Sequence, residues 1–387
     1  MDYLLNENVK RIEISGIRKF FNMVADEKDV ISLTIGQPDF HTPNYIKEAA
    51  SDAIVNNKTT YTSNAGIIEL RKAISKFNET NYGISFDPMS EIIVTTGASQ
   101  AIDITFRTIL SPGDEVILPG PIYPGYEPLI TLAGAKAVYA DTTTTGFKLT
   151  KETLKQHLSD KTKCVVLPYP SNPTGASFSK EELSDLTEVL KDKDIFILAD
   201  EIYSELVFEN QHYSIANFDS VKEKTIVING LSKSHSMTGF RIGYVLAPKW
   251  LSKHILKVHQ YNVTCASSIS QYAALEALTN NSESTETMRE EYRRRRDYVY
   301  SRLNNMGLAV NKPEGAFYFF PKFPIKETTS FELGLTLVRE AKIALVPGNS
   351  FSQLGEGYMR LSYAYDIETI TQGLDRLEAF LDKTLLR

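Results

Sequence analysis

Cysteine is scarce in this chain: the 387 residues hold two, Cys164 and Cys265, far apart and in apolar or small-residue surroundings. A disulfide framework is thereby excluded, and free thiols buried in a reducing compartment are expected. Histidine is scarce as well, six in all, with no His-Glu-x-x-His and with His254 and His259 five apart, so no metal centre is expected. No apolar run approaches the roughly 20 residues that span a bilayer. Met1 to Ser15 is charged and lacks the apolar centre of a secretory leader. A cytoplasmic protein with no membrane partner is the expectation. Positive charge is in deficit: 48 acids against 42 bases give a formal charge of -6, which argues against nucleic acid as a partner. The one basic run, Arg293 to Arg296, follows Glu290 and Glu291 and reads as a solvated helix face. Three phosphate or nucleophile motifs are also missing. There is no Gly-x-Gly-x-x-Gly after a strand. Gly230-Leu231-Ser232-Lys233-Ser234 lacks the glycine that a nucleotide phosphate loop needs before its lysine. Gly97-Ala98-Ser99-Gln100-Ala101 ends in alanine where a hydrolase elbow needs glycine.

What is present is a globular composition, 42% hydrophobic and 23% charged, in a chain long enough for two domains. Short apolar runs alternate with helical patterns through the middle. Candidate strands are 92–95, 115–118, 137–140, 164–167, 195–199, 225–228 and 243–246, several of them apolar on both faces. The fold class is therefore α/β, a mostly parallel seven-stranded sheet covered by helices. Helices are expected over 100–110 and over 180–190, the latter capped by Ser179. The last hundred residues read as a smaller α+β unit. A charged helix over 288–303 leads to a strand pair, 308–310 with 316–319. A helix over 331–340 follows, then strands 343–346 and 358–363, and a final helix with Ile367, Ile370, Leu374, Leu377 and Phe380 on one stripe. The expected domains are 46–285, and 1–45 together with 286–387, with the boundary near the polar stretch Thr279-Asn280-Asn281-Ser282.

Ligands of parallel α/β sheets bind beyond the carboxyl ends of the strands. The residues there are Gly97-Ala98-Ser99-Gln100 opening a helix, then Pro121-Ile122-Tyr123-Pro124, and Ser171-Asn172-Pro173-Thr174-Gly175. Asp200 with Tyr203 comes next, and finally Ser232-Lys233. Each alone has a plainer reading: a strand-to-helix turn, a packing tyrosine, a turn, an N-cap, a solvated lysine. Taken together they fit one chemistry. A pyridoxal ring needs an amine for its aldehyde, an acid for its ring nitrogen, donors for its ring oxygen, an aromatic neighbour, and a helix N-terminus with a cation for its phosphate.

The motifs that carry this are Ser232-Lys233-Ser234-His235-Ser236-Met237-Thr238-Gly239-Phe240-Arg241-Ile242-Gly243, Ser171 to Gly175, Asp200-Glu201-Ile202-Tyr203 and Pro121 to Tyr126. With them go Tyr61-Thr62 to Ala65-Gly66, Gly36-Gln37-Pro38-Asp39-Phe40 and Met359-Arg360-Leu361-Ser362. Over nearly its whole length the sequence resembles the class I pyridoxal-phosphate aminotransferases of fold type I. The resemblance implies pyridoxal 5'-phosphate anchored on Lys233, which also shuttles the substrate proton. It implies Asp200 at the ring nitrogen, Asn172 and Tyr203 at the ring oxygen, and Tyr123 stacked on the ring. Ala98, Ser99, Ser232 and Arg241 would hold the phosphate, with Gln100 opening the same helix. Arg360 would fork onto the substrate α-carboxylate, which Gly36 lets the backbone approach. Tyr61 is similar to the tyrosine that reaches the neighbouring subunit's phosphate, so a homodimer is implied; a core tyrosine is its plainer reading. One departure is Gly230, where the family commonly carries a serine that contacts the phosphate.

Ser15-Gly16-Ile17-Arg18 and Ile228-Asn229-Gly230-Leu231-Ser232-Lys233 resemble most the bacterial N-acetyl-L,L-diaminopimelate branch. That branch serves lysine and cell-wall precursor synthesis, with 2-oxoglutarate or glutamate as the other partner. Aspartate- and aromatic-specific relatives share the same residues and stay open. A carbon–sulfur β-lyase on the same fold is the alternative. Arg18 and Lys19 read as surface charges. A regulator with such a sensor domain carries a basic DNA-binding domain in front, for which no room is expected.

Overall fold

The computed structural model describes residues 1–24, 27–280, 283–324 and 328–385. Seven strands form the main sheet: β1 Ile92–Thr95, β2 Glu115–Gly120, β3 Lys136–Asp141, β4 Thr162–Pro168, β5 Phe196–Asp200, β6 Thr225–Gly230 and β7 Gly243–Leu246. Their order is β1-β7-β6-β5-β4-β2-β3, and β7 alone runs antiparallel to its neighbours. The expected seven-stranded, mostly parallel sheet is what the chain forms.

The alternation along each strand explains burial on both faces. On β4, Val165 and Leu167 join one apolar cluster while Cys164 and Val166 join the other; on β5, Ile197 and Ala199 oppose Leu198 in the same way. Helices cover each face. α1 Gly16–Val24 packs instead on the C-terminal part, with Phe20 against Val338 and Ala344; among the covering helices are α2 Gly97–Ile109, α3 Tyr126–Leu132, α4 Lys180–Leu190, α5 Lys249–Val263 and α6 Ser268–Thr279. Ser179 caps α4 through a capping box with Glu182. Asn281 and Ser282 of the expected boundary stretch lie outside the described residues.

The C-terminal part builds a third apolar cluster. It contains α7 Ser284–Asn305, α8 Ile367–Leu385 and a three-stranded antiparallel sheet of β8 Tyr318–Phe319, β9 Val346–Pro347 and β10 Met359–Ser362. The expected pairing of 308–310 with 316–319 does not form. Ala309 makes only an isolated bridge to Lys322, and β8 pairs with β10 instead. The expected strand 343–346 is split, because Ile343–Ala344 pairs in parallel with Ile31–Ser32. The helix expected over 331–340 runs as α-helix only to Thr336 and closes with a π-turn over Leu337–Ala341.

The basic run is only half solvated. Arg293 and Arg294 pair on the surface with Glu290 and Glu291, but Arg295 and Arg296 are buried. Arg295 donates from Nη1 to both Asp39 oxygens at 2.9 and 2.8 Å, and from Nε to Glu291. Cys164 is buried and its thiol pushed up to about 12 by that burial, whereas Cys265 is only partly covered. Among the described residues no helix is long and apolar enough to cross a membrane, and no group of acids, histidines or cysteines is placed to hold a metal ion.

Candidate active site

A cavity of about 510 Å³ opens at the carboxyl ends of β1, β2, β4, β5 and β6. Into its wall the fold brings Gly36, Ala98, Ser99, Tyr123, Asn172, Asp200, Tyr203, Ser232, Lys233, Arg241 and Arg360. These come from positions hundreds of residues apart: most sit at or just past a strand end, Arg241 stands just before β7, and Arg360 is on β10. Two expected residues are not brought there. Gln100 turns its amide away: Oε1 accepts from the Thr96 N–H at 2.7 Å, and Nε2 donates to Asn262 at 2.9 Å. Its place in the sequence is on the right helix, but the α-helical turn sends it to another face. Tyr61 is 85% exposed, which rules out the core reading and leaves it on the surface of this copy.

Lys233 Nζ donates to the Gly36 carbonyl at 2.5 Å and lies 5.7 Å from the Tyr203 ring centre. Burial, then the positive charges of Arg360 and Arg241, push its amine down to about 8. Asp200, the last residue of β5, is buried, and that burial pushes its carboxyl up to about 6. Two donors oppose the rise: the Tyr126 hydroxyl at 2.5 Å on Oδ2 and the Ile202 N–H at 3.3 Å on Oδ1. The Tyr203 hydroxyl shares a 2.8 Å hydrogen bond with that of Tyr318.

Arg360, buried on β10, donates from Nη1 to Asn172 Oδ1 at 2.9 Å and from Nη2 to the Thr34 carbonyl at 2.6 Å. Its Nε is buried without a partner, an orphan donor in a cavity wall. Tyr318 lies under the guanidinium, 4.4 Å from ring centre to Cζ, and its hydroxyl is 3.2 Å from where a Cβ on Gly36 would stand.

The other end of the cavity is built for an anion. α2 begins at Gly97 with no side-chain cap, so the N–H groups of its first turn are open to a ligand. Gly97 has φ +75°, and the Arg241 guanidinium occupies the space that a Cβ there would take. Arg241 itself donates to the Thr238 carbonyl at 3.0 Å. Gly230 fits tightly: a Cβ would come within 2.9 Å of the Ile242 carbonyl and 3.0 Å of Gly243 Cα. The missing serine thus coincides with close packing of β6 on β7.

These features fit pyridoxal 5'-phosphate. An uncapped helix start and a guanidinium suit its phosphate, a buried carboxyl suits its ring nitrogen, and a depressed amine suits its aldehyde. The orphan Arg360 Nε suits a substrate carboxylate. Tyr126 and Tyr318 are the site residues that sequence reasoning missed. The sequence assigned a role to neither: Tyr318 stood in the candidate strand 316–319, and Tyr126 inside a motif already noted, three residues after Tyr123.

The family model for "Aminotransferase class I and II" matches residues 28–377. A probable N-acetyl-LL-diaminopimelate aminotransferase from Bacillus subtilis is 60% identical over 383 residues, 99% of this chain and 97% of that one. The crystal structure of an aromatic aminotransferase from Pyrococcus horikoshii is 40% identical with a TM-score of 0.90, covering 96% of this chain and 100% of that one. An aspartate aminotransferase from Rhizobium meliloti is 34% identical with a TM-score of 0.93, covering 98% of each chain. All three are aminotransferases, and the carbon–sulfur lyase alternative gains no support from them.

Proposed function

The chain belongs to the class I and II aminotransferases and is a pyridoxal-phosphate-dependent enzyme, and we propose that it exchanges an amino group between N-acetyl-L,L-diaminopimelate and 2-oxoglutarate, in lysine and cell-wall precursor synthesis. The 60% identity to the Bacillus subtilis relative over nearly the whole chain supports this substrate. Aspartate or an aromatic amino acid is the second reading, favoured by the two solved relatives.

The observation that carries the chemistry is Lys233, an amine lowered to about 8 in a wall shared with Asp200 and Arg360. Bound pyridoxal phosphate supplies an aldehyde that takes up amines and a ring that accepts an electron pair when its nitrogen is protonated. Lys233 anchors that aldehyde. With a substrate amine in its place, the Lys233 Nζ would be the group that takes the proton from the substrate α-carbon and returns it on the way to product. A pKa near neutrality serves both directions. Asp200 holds the proton on the ring nitrogen, and the resulting cation draws its carboxyl toward the ionised form. Asn172, whose Oδ1 already accepts from Arg360, keeps its amide N–H groups free for the ring oxygen, joined there by the Tyr203 hydroxyl. Tyr123 stacks on the ring. Backbone N–H groups of Ala98 and Ser99, with Ser232 and Arg241, hold the phosphate. Arg360 forks onto the substrate α-carboxylate beside Gly36.

The same reading makes the enzyme a cytoplasmic homodimer in which Tyr61 of each copy reaches the other's phosphate; the exposure of Tyr61 supports it. It divides the chain into 46–285 and 1–45 with 286–387, supported by the apolar cluster around α7 and α8, whose buried residues come from Leu33 and 286–387 apart from Tyr203 and Leu206. The deciding experiment compares amino donors with 2-oxoglutarate as acceptor. N-acetyl-diaminopimelate should give the highest kcat/KM, well above aspartate and phenylalanine. A higher value for either of those would overturn the substrate assignment and leave the class intact.

A further inference from the structure

Asp200 sits in an unusual electrostatic position. It is a carboxyl group at the end of a fully covered strand, with burial opposing its ionisation more than any other influence. The charged and titratable groups that face it are few. Lys233 comes from the loop after β6, Glu201 and Tyr203 from its own turn, and Tyr123 and Tyr126 from the segment after β2. Of these, only Tyr126 donates a hydrogen bond to its carboxylate, at 2.5 Å on Oδ2; the backbone N–H of Ile202 takes the other oxygen at a longer 3.3 Å.

Tyr126 is itself fixed from several sides. It is 1% exposed, it is the first residue of α3, and its ring meets that of Tyr123 edge to face at 5.5 Å and 89°. Tyr123 in turn is folded back so closely that any Cβ on Gly125 would fall on its ring. The segment Tyr123-Pro124-Gly125-Tyr126 therefore delivers two aromatics to one cavity, a ring and a hydroxyl, and burial pushes the Tyr126 phenol well above its usual range. A phenol so strongly protonated is a permanent donor. It cannot take the proton from Asp200, and it leaves the carboxylate a second oxygen for another partner.

We infer that Tyr126 is a positioning residue of the transamination site, whose hydroxyl orients the Asp200 carboxylate and holds its charge on the oxygen it caps. The inference rests on the role given to Asp200 at the cofactor's ring nitrogen. Without the Tyr126 hydroxyl, Asp200 is a weaker anion and the ring nitrogen loses its proton more readily. With the cofactor bound, the positive charge near Lys233 would then be diminished, and the Lys233 nitrogen would hold its proton to higher pH.

The test uses holoenzyme of Tyr126→Phe, which keeps the ring packing, beside Tyr139→Phe. Tyr139 also loses a hydroxyl bonded to a carboxylate, that of Glu127 at 2.7 Å, outside the cavity. Three quantities are read: the pH midpoint of the change in the visible absorption band, retention of pyridoxal phosphate on dialysis, and kcat against KM. Tyr126→Phe should raise the midpoint by about one unit. It should lose cofactor faster and lower kcat by about tenfold or more, the scale of one hydrogen bond to a charged group. Tyr139→Phe should match the wild type in all three. In an Asp200→Ala background, a further Tyr126→Phe change should leave cofactor retention where it is. An unchanged midpoint and retention in Tyr126→Phe, or full additivity in the double variant, overturns the inference while the role of Asp200 stands. If Tyr126→Phe fails to fold, Tyr126→Leu replaces it, alone and in the Asp200→Ala background, and the same midpoint, retention and additivity outcomes decide. A wild-type protein that takes up no pyridoxal phosphate overturns both.

Discussion

Lys233 shows how a side chain's surroundings set its chemistry and its stability together. Its amine stands at about 8, lowered chiefly by burial and further by Arg360 and Arg241, against about 10.4 when unfolded. Below pH 8 the folded apoprotein therefore carries a charge it would rather shed, and that disadvantage fades as pH rises from 8 towards the unfolded value. Lys233→Met should abolish transamination and yet raise the melting temperature of the apoprotein at pH 7, by a margin that shrinks by pH 10. A margin that grows with pH would contradict the depressed amine. Arg360→Lys tests the other anchor. Lysine keeps the charge but not the fork, so KM should rise for every amino acid and kcat/KM should fall about ten- to a hundredfold, as steady-state kinetics will measure. A loss confined to one donor would refute a role at the shared α-carboxylate. Most of these residues were legible in the sequence because their spacing is set by strand ends. Tyr126 and Tyr318 were not, since a tyrosine's hydroxyl partner is decided by packing from elsewhere in the chain. Gln100 was misplaced because nearness in sequence on a helix is not a shared face.

At the level of elements, the strands of the main sheet were readable because burial on both faces leaves unbroken apolar runs. The C-terminal strands were harder. Their partners are chosen by contacts far along the chain: β8 passes over residues 308–310 for β10, and Ile343–Ala344 reaches back to Ile31–Ser32. No local pattern specifies that. The start of α2 makes the element-level prediction. Gly97 has φ +75° with the Arg241 guanidinium against it, so Gly97→Ala should destabilise the apoprotein by about 1–2 kcal/mol from backbone strain alone. On the proposed role of that guanidinium at the phosphate, affinity for pyridoxal phosphate should fall more than affinity for pyridoxal. Equal losses for the two, measured by fluorescence titration, would remove Arg241 from the phosphate site.

For the whole molecule, the prediction turns on Tyr61, which is 85% exposed in this copy and, in the proposed dimer, reaches the other copy's phosphate. Light scattering should give a dimer, and Tyr61→Phe should weaken cofactor binding several-fold without altering the dimer. Mixed dimers of Tyr61→Phe with Lys233→Ala subunits provide the sharper measurement. One of their two sites pairs an intact Lys233 with an intact Tyr61 from its neighbour, so half the sites should keep wild-type affinity.

The bond between Arg295 and Asp39 has a consequence for how the sequence drifts over time. Asp39 closes the same short loop that carries Gly36, and Arg295, from α7 far along the chain, grips both of its carboxylate oxygens while Glu291 answers only Nε. Arg295 is buried but Asp39 reaches solvent, so losing Asp39 strips a buried guanidinium of an anionic partner, whereas losing Arg295 leaves Asp39 with water and the Tyr292 hydroxyl. Substitution of Asp39 alone is thus the costlier change, so among homologues an acid at position 39 should be kept wherever Arg295 is kept, and should drift only in lineages that have already lost the arginine.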